Sequence, residues 1–488
     1  MERPARDLTR KYVDPGSFVR APDDLSTTNP LGYPGYADIV ARARAASGCD
    51  EAVLAGRARI AGHDVELAVF NFRFIAGSMG EVAGERVARA LERAARRGVP
   101  AVLIIATGGA RLQEGLRALA QMPKVVAARV ELSSTANALI VLLEHPTTGG
   151  VLASIGGLGD VTGAVEGAIV GFAGPRLVQR FTGSPPSAGS HTAESALQSG
   201  LVDAIVGRAE RDVAGWLRAT VEVLAPDRPQ PSSAPPLGDA APWVNDAWAA
   251  VEAARAPQRP TGPQLVREMS DLVRELRGDR AGGDDPAIVT ALARIGGRRA
   301  LVIATDREYA PGPRAYRKVR RTLAIAARLH IPVVTIVDMR GANPSDESER
   351  GGIAWEIAGT LQAFMTLPVP VVAVVTGEGG SGGAIALAAG DVLVAYESSI
   401  FSVLEPEAAA EVLWRDATRG RDAAEMLKLT APDLLSLSLA DALVNAPLDS
   451  NSLRSAVTFY LDRLRDDAPS AEERMRRRRE RWRRPHAT

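Results

Sequence analysis

The sequence predicts an α/β protein made of two tandem domains, each a mainly parallel sheet with helical crossovers. Three observations carry that prediction. The chain has 488 residues, it repeats itself at an offset of 231 to 235 positions, and short apolar stretches alternate with long Ala- and Arg-rich ones. A chain of this length exceeds one ordinary hydrophobic core, so two domains of roughly 200 to 250 residues each are expected.

The repeat appears as an ordered set of pairs. Ala58-Arg-Ile-Ala-Gly62 returns as Ala293-Arg-Ile-Gly-Gly297, and Gly98-Val-Pro-Ala-Val as His330-Ile-Pro-Val-Val. Gly109-Ala110 returns as Gly341-Ala342, Gly149-Gly150 as Gly382-Gly383, and Gly159-Asp-Val161 as Gly390-Asp-Val392. One such pair could arise by chance, but the ordered series marks a duplicated domain. In chain order each copy predicts a strand (67–72, 300–304), a helix (84–97, 315–329) and a buried strand (101–106, 333–338). A glycine turn, another helix, a further apolar strand (139–143, 370–375) and a second glycine turn follow. Short strands separated by helices require crossovers, which make the sheet parallel. Between the copies, residues 225–242 hold six prolines and few large apolar side chains, the composition of a linker. The domains are thus 1–224 and 243–488.

Bulk composition excludes several classes of function. Lys plus Arg and Asp plus Glu are 58 each, so no net charge argues for nucleic acid or an acidic membrane. Cys49 stands alone, which excludes a disulfide framework and a cysteine-based zinc site. No apolar run reaches the roughly 18 residues of a membrane span, and the first residues lack an apolar signal core. A cytoplasmic chain is expected, with no metal.

Four glycine turns carry the chemical interest: Thr107-Gly-Gly-Ala-Arg111, Pro146-Thr-Thr-Gly-Gly150, Arg340-Gly-Ala342 and Gly377-Glu-Gly-Gly-Ser-Gly-Gly383. Glycine at the end of a buried strand frees the backbone to present N–H groups to a ligand. Two such groups converging on one oxygen form an oxyanion hole. Taken singly, each cluster reads better as a tight turn without a ligand; four of them paired across a repeat reverse that preference. Gly156-Gly157 and Gly296-Gly297 read as ordinary turn glycines. The five histidines (His63, His145, His191, His330, His486) are scattered, and no serine-hydrolase elbow, phosphate loop or biotinyl-lysine turn is present. The Arg-rich tail from Arg474 to Arg484 reads as a solvated helix or as a contact for an acidic partner or coenzyme phosphate.

At these residues the sequence resembles the carboxyltransferase of bacterial acetyl-CoA carboxylase, with a beta-type half first and an alpha-type half second. The first half carries Gly77-Ser-Met-Gly80, Gly108-Gly-Ala-Arg-Leu-Gln-Glu-Gly115 and Gly171-Phe-Ala-Gly-Pro-Arg176. The second carries Asp284-Asp-Pro286, Tyr316-Arg-Lys318, Phe401-Ser-Val403 and Leu427-Lys-Leu-Thr-Ala431. The resemblance implies two crotonase-type (ββα superhelix) domains that move a carboxyl group from carboxybiotin, on a separate carrier protein, to acetyl-CoA or a short acyl-CoA. It implies that Gly149 and Gly150 serve the thioester and Gly382 and Gly383 serve biotin. Gly108, Gly109, Ala110 and Arg111 would complete the acyl-CoA side; Gly341, Ala342, Gly379, Gly380 and Ser381 would complete the biotin side. Implied partners are the biotin carboxyl carrier protein, biotin carboxylase and a second copy of the chain in a homodimer or higher oligomer.

The chain departs from the family at three points. The four-cysteine ribbon of the beta subunit is missing, Ala76 replaces a glycine, and Asp338-Met-Arg-Gly-Ala replaces a Thr-Pro-Gly-Ala turn. Arg340 in that turn could read a carboxylate or form a surface ion pair. Three other readings stay open at this point: a biotin-dependent decarboxylase of malonyl-type thioesters, a hydratase or thioesterase on the same fold, and a non-catalytic assembly subunit.

Overall fold

The computed structural model describes residues 7–238, 246–467 and 469–483. His486 and Arg484 therefore lie outside the described residues. The chain divides into two compact units, residues 1–225 with 280–283 and residues 226–279 with 284–488.

The first unit is built on one sheet of eight strands. They are β1 (Val19–Arg20), β2 (Val53–Ile60), β3 (His63–Phe70), β4 (Ala101–Thr107), β5 (Leu139–Thr148), β6 (Val161–Val165), β7 (Val170–Gly171) and β8 (Ala204–Val206). Their order is β1-β2-β3-β4-β5-β6-β8, with β7 added beside the end of β5. β1, β2 and β3 are antiparallel, and pairing from β3 onward is parallel. β4 is buried along its whole length, as a parallel strand covered on both faces must be. The Glu81–Arg97 helix turns Val87, Leu91 and Ala94 onto Leu103, Ile105 and Val141. It stops at Gly98, whose left-handed backbone lets its N–H reach the Ala94 carbonyl.

The second unit has nine strands: β9 (Leu237–Gly238), β10 (Leu272–Leu276), β11 (Ile288–Ile295), β12 (Arg298–Thr305), β13 (Val333–Met339), β14 (Val371–Gly380), β15 (Val392–Tyr396), β16 (Ile400–Ser402) and β17 (Ala442–Val444). The order is β10-β11-β12-β13-β14-β15-β17-β9, with β16 beside the end of β14. Val302, Val334, Val372 and Leu453 form its core. The repeat is visible in the ladders. β4 and β5 shift register between Ile105 and Thr107, and β13 and β14 shift between Val337 and Met339.

Three expectations change. The segments 146–148 and 377–380 are strand, not turn. β7 and β16 pair with them and satisfy the backbone groups that a turn would leave open. The proline-rich stretch packs on the second unit through residue 238: Arg228 and Gln230 N–H groups donate to Gly297 (3.0 Å) and Gly296 (2.9 Å), and β9 extends the sheet. Residues 239–242 lie outside the described residues. The basic tail is not simply solvated. In the Ala471–Arg483 helix, buried Arg478 donates to the carbonyls of Phe364, Leu367 and Val369 and pairs with Asp391 at 2.7 Å.

Candidate active site

In the first unit the two glycine turns meet backbone to backbone. β4 ends at Thr107, and the chain turns through Gly108 and Gly109, whose φ is +109°. β5 ends at Thr148 and opens the short Gly149–Leu152 helix, with Gly149 at φ +71°. A Cβ on Gly149 would lie 2.9 Å from the Gly109 Cα, so only glycine allows this approach.

The amide directions follow from the hydrogen bonds. Gly109 N–H donates to Thr107 Oγ1 at 3.0 Å, and Gly149 N–H to the Phe172 carbonyl at 2.9 Å. Both are spent inside the fold. Met79 N–H donates to Gly109 O, and Arg111 N–H donates to Met79 O. Ala110 sits between these bonds, bridged in parallel to Met79, so its own amide points the opposite way. Gly150 occupies the first turn of its helix, where no intrahelical acceptor exists. Ala110 and Gly150 thus present the available amides. Gly149 is a pivot rather than a donor.

The second unit repeats the strand and helix register at an offset of 232, but its loop differs: Pro311 has no N–H to return a bond, and Gly341 lacks the left-handed φ of Gly109. Asn343 N–H donates to Pro311 O at 3.0 Å, as Arg111 does to Met79. β14 ends at Gly380, and the Ser381–Ala388 helix begins at Ser381 with φ +63°. Ser381 therefore stands where Gly149 stands, and Gly382 where Gly150 stands. The sequence alignment of Gly149-Gly150 with Gly382-Gly383 is one residue late. A string of four glycines around one serine carries too little side-chain information to fix a register.

Cβ positions separate the remaining glycines by role. At Gly379 a Cβ would strike the Phe401 ring, and at Gly380 the Arg340 carbonyl. At Gly383 it would collide with the Tyr316 hydroxyl. At these three positions packing alone requires glycine, whatever their backbone N–H groups do. Nothing lies within 4 Å of a Cβ at Gly341 or Gly382. The open surface of the turn is formed by Gly341, Ala342 and Gly382.

Arg111 also changes role. Its guanidinium is fully buried, with bonds to Glu51 (3.0 Å), Glu114 (3.2 Å), the Tyr36 hydroxyl (3.3 Å) and the Ser78 carbonyl (2.7 Å). It braces the Gly108–Ala110 turn from behind and has no donor left for a ligand. Under the second turn, Asp338 accepts from Arg259 (2.7 Å) and from the Glu378 N–H (3.0 Å), which ties β13 to β14. Burial pushes the Asp338 carboxyl above its ordinary pKa, with Arg259 pulling against that shift. Glu378 takes two bonds from Arg255, at 2.9 and 3.0 Å, and lies 3.7 Å from Arg340. Arg340 itself stays largely exposed beside that buried carboxylate. His145 accepts the Ile169 N–H at 3.2 Å through its ring. The described residues contain no group of three or more metal-ligating side chains. Among them, no helix is long and apolar enough to cross a membrane.

Comparison with known proteins bears on the family and the fold. A family profile described as acetyl co-enzyme A carboxylase carboxyltransferase-like matches residues 245–483. The acetyl-coenzyme A carboxylase carboxyl transferase subunits beta/alpha of Salinispora arenicola are 39% identical, over 96% of this chain and 88% of theirs. A probable biotin-dependent acyl-coenzyme A carboxylase beta3 subunit of Mycobacterium bovis is 36% identical, over 91% and 90% respectively. Among solved structures, the transcarboxylase 12S hexamer with methylmalonyl-coenzyme A bound superposes with a TM-score of 0.78. That match covers 96% of this chain and 90% of the other at 22% identity, and it shows the fold: two crotonase-type domains.

Proposed function

The chain belongs to the carboxyltransferase family of biotin-dependent acyl-CoA carboxylases, and from that premise we propose that its two units divide one carboxyl transfer. The first unit holds the acyl-CoA thioester and the second holds the biotin ring. The observation that carries this reading is the glycine turn from strand into helix, present once in each unit at the same register.

Biotin, borne by a separate carrier protein, supplies the carboxyl group and a basic ureido nitrogen. The second unit fits such a ring, because Gly341 and Gly382 face open space and offer backbone alone. There the amides of Ala342 and Gly382 donate to the ureido oxygen and stabilise the charge that gathers on it as the carboxyl group leaves. In the first unit Ala110 and Gly150 donate to the thioester oxygen. They stabilise the electron pair left when the α-proton departs to the ureido nitrogen, and the α-carbon then bonds to the carboxyl carbon. Preorganised donors of this kind contribute about 2.7–4 kcal/mol each to the transition state. No side-chain base is needed. The natural partners are a biotinylated carrier and a biotin carboxylase, in the cytoplasm. Exposed Leu112, Leu116, Phe172, Phe181 and Val403 suit a homo-oligomer of at least two copies.

Partial reactions test this division. Gly382→Val should lower decarboxylation of carboxybiotin on the order of 10²-fold even without acyl-CoA, while Gly150→Val should spare that step and suppress α-proton exchange of the thioester. Identical defects in two folded variants would defeat the assignment.

A further inference from the structure

Tyr316 lies in the Pro313–Leu329 helix, fully buried, and its hydroxyl has no hydrogen-bond partner among the described residues. A buried hydroxyl left unpaired is destabilising, so its presence calls for a reason. Its surroundings supply one. A Cβ on Gly383 would collide with this hydroxyl and lie 3.1 Å from Met339 Cε and 3.2 Å from Ala342 Cβ. The oxygen is therefore wedged where the first turn of the Ser381–Ala388 helix meets the loop that carries Ala342. Those two elements carry the Ala342 and Gly382 amides, which the functional reading assigns to biotin. We propose that Tyr316 is a positioning residue whose hydroxyl sets the gap between the Ala342 and Gly382 amides.

The inference rests on the assignment of that pair to biotin. The oxygen works as a spacer. Removing it leaves a one-atom void into which loop and helix can settle, and the amides shift with them. Oxyanion donors act over roughly 2.7–3.1 Å, and a displacement near 1 Å costs on the order of 10²-fold. Burial, with Asp285 nearby, pushes the phenol pKa up, so the wedge stays a neutral hydroxyl at every working pH. Gly383 belongs to the same device, because any side chain there would compete with the hydroxyl for one space.

The test uses Tyr316→Phe in the full chain, with a biotinylated carrier as substrate. The variant loses an unpaired polar atom, so its Tm should hold or rise. Its kcat for carboxybiotin decarboxylation should fall about tenfold or more, with KM for the carrier and α-proton exchange of acyl-CoA unchanged. A Tyr316→Phe variant with unchanged decarboxylation would overturn the proposal. As a second measure, Gly383→Ala should be impaired, and the Gly383→Ala, Tyr316→Phe double variant should recover part of the lost rate; no recovery would also overturn it. If wild-type protein shows neither partial reaction, the functional reading fails, and Tyr316 is not at issue.

Discussion

Neighbouring glycines in one motif make opposite demands on a substitution. Gly382 has open space where a Cβ would go and no left-handed backbone, whereas Gly383 faces the Tyr316 hydroxyl. Gly382→Ala should therefore keep or raise Tm, since alanine is the better helix residue, while Gly383→Ala should lower it; thermal unfolding of both variants checks the ordering. Arg111 allows a second residue-scale prediction. Removing its guanidinium leaves Glu51 and Glu114 buried without their cation. Arg111→Met should cost about 3–5 kcal/mol in a denaturant titration, the usual range when one partner of a buried pair is lost. A ligand-reading arginine would instead have shown intact stability and a raised KM for the coenzyme.

At the scale of elements, the Ala471–Arg483 helix is held by Arg478, which collects carbonyls at and just beyond the end of the Ile353–Met365 helix, and by Arg481, which pairs with Asp441. Arg478→Ala leaves those carbonyls and Asp391 unpaired. It should destabilise the second unit by about 3 kcal/mol or more, seen as faster amide exchange in residues 353–367, with little effect in the first unit. Much of the fold was legible without coordinates. β4 up to Ala106 and the first halves of β5 and β14 are unbroken apolar runs, β13 is one interrupted by Thr335 and Asp338, and the helices show themselves by Ala-rich faces. What stayed hidden depends on partners distant in sequence. β7 and β16, two and three residues long, carry no periodic signal, yet they convert 146–148 and 377–380 from apparent turns into strand. The offset between Gly109-Ala110 and Gly341-Ala342 is legible because each pair follows a buried strand of seven residues. The glycine string at 379–383 gave no such anchor. Arg111 looked like a ligand residue because a lone motif arginine gives no sign of the two carboxylates, 60 and 3 residues away, that enclose it.

For the whole molecule, the available amides imply dependence on other proteins. Purified alone, the chain should not carboxylate acyl-CoA from bicarbonate and ATP. Adding a biotin carboxylase and a biotinylated carrier should restore turnover, and a radiolabelled bicarbonate assay with each component left out in turn would show it. Full activity from the single chain would contradict the proposed division of labour. The proline-rich stretch bears on a different property, colloidal behaviour. β9 covers the outer side of β17, a strand whose backbone would otherwise stand open at the sheet's margin. Open margins recruit strands from other molecules, and prolines beside a short covering strand discourage further addition. Pro235 and Pro236 precede β9 directly. A gene divided to produce the two units separately should therefore leave 226–238 attached to the second one, or the exposed margin becomes a template for precipitation.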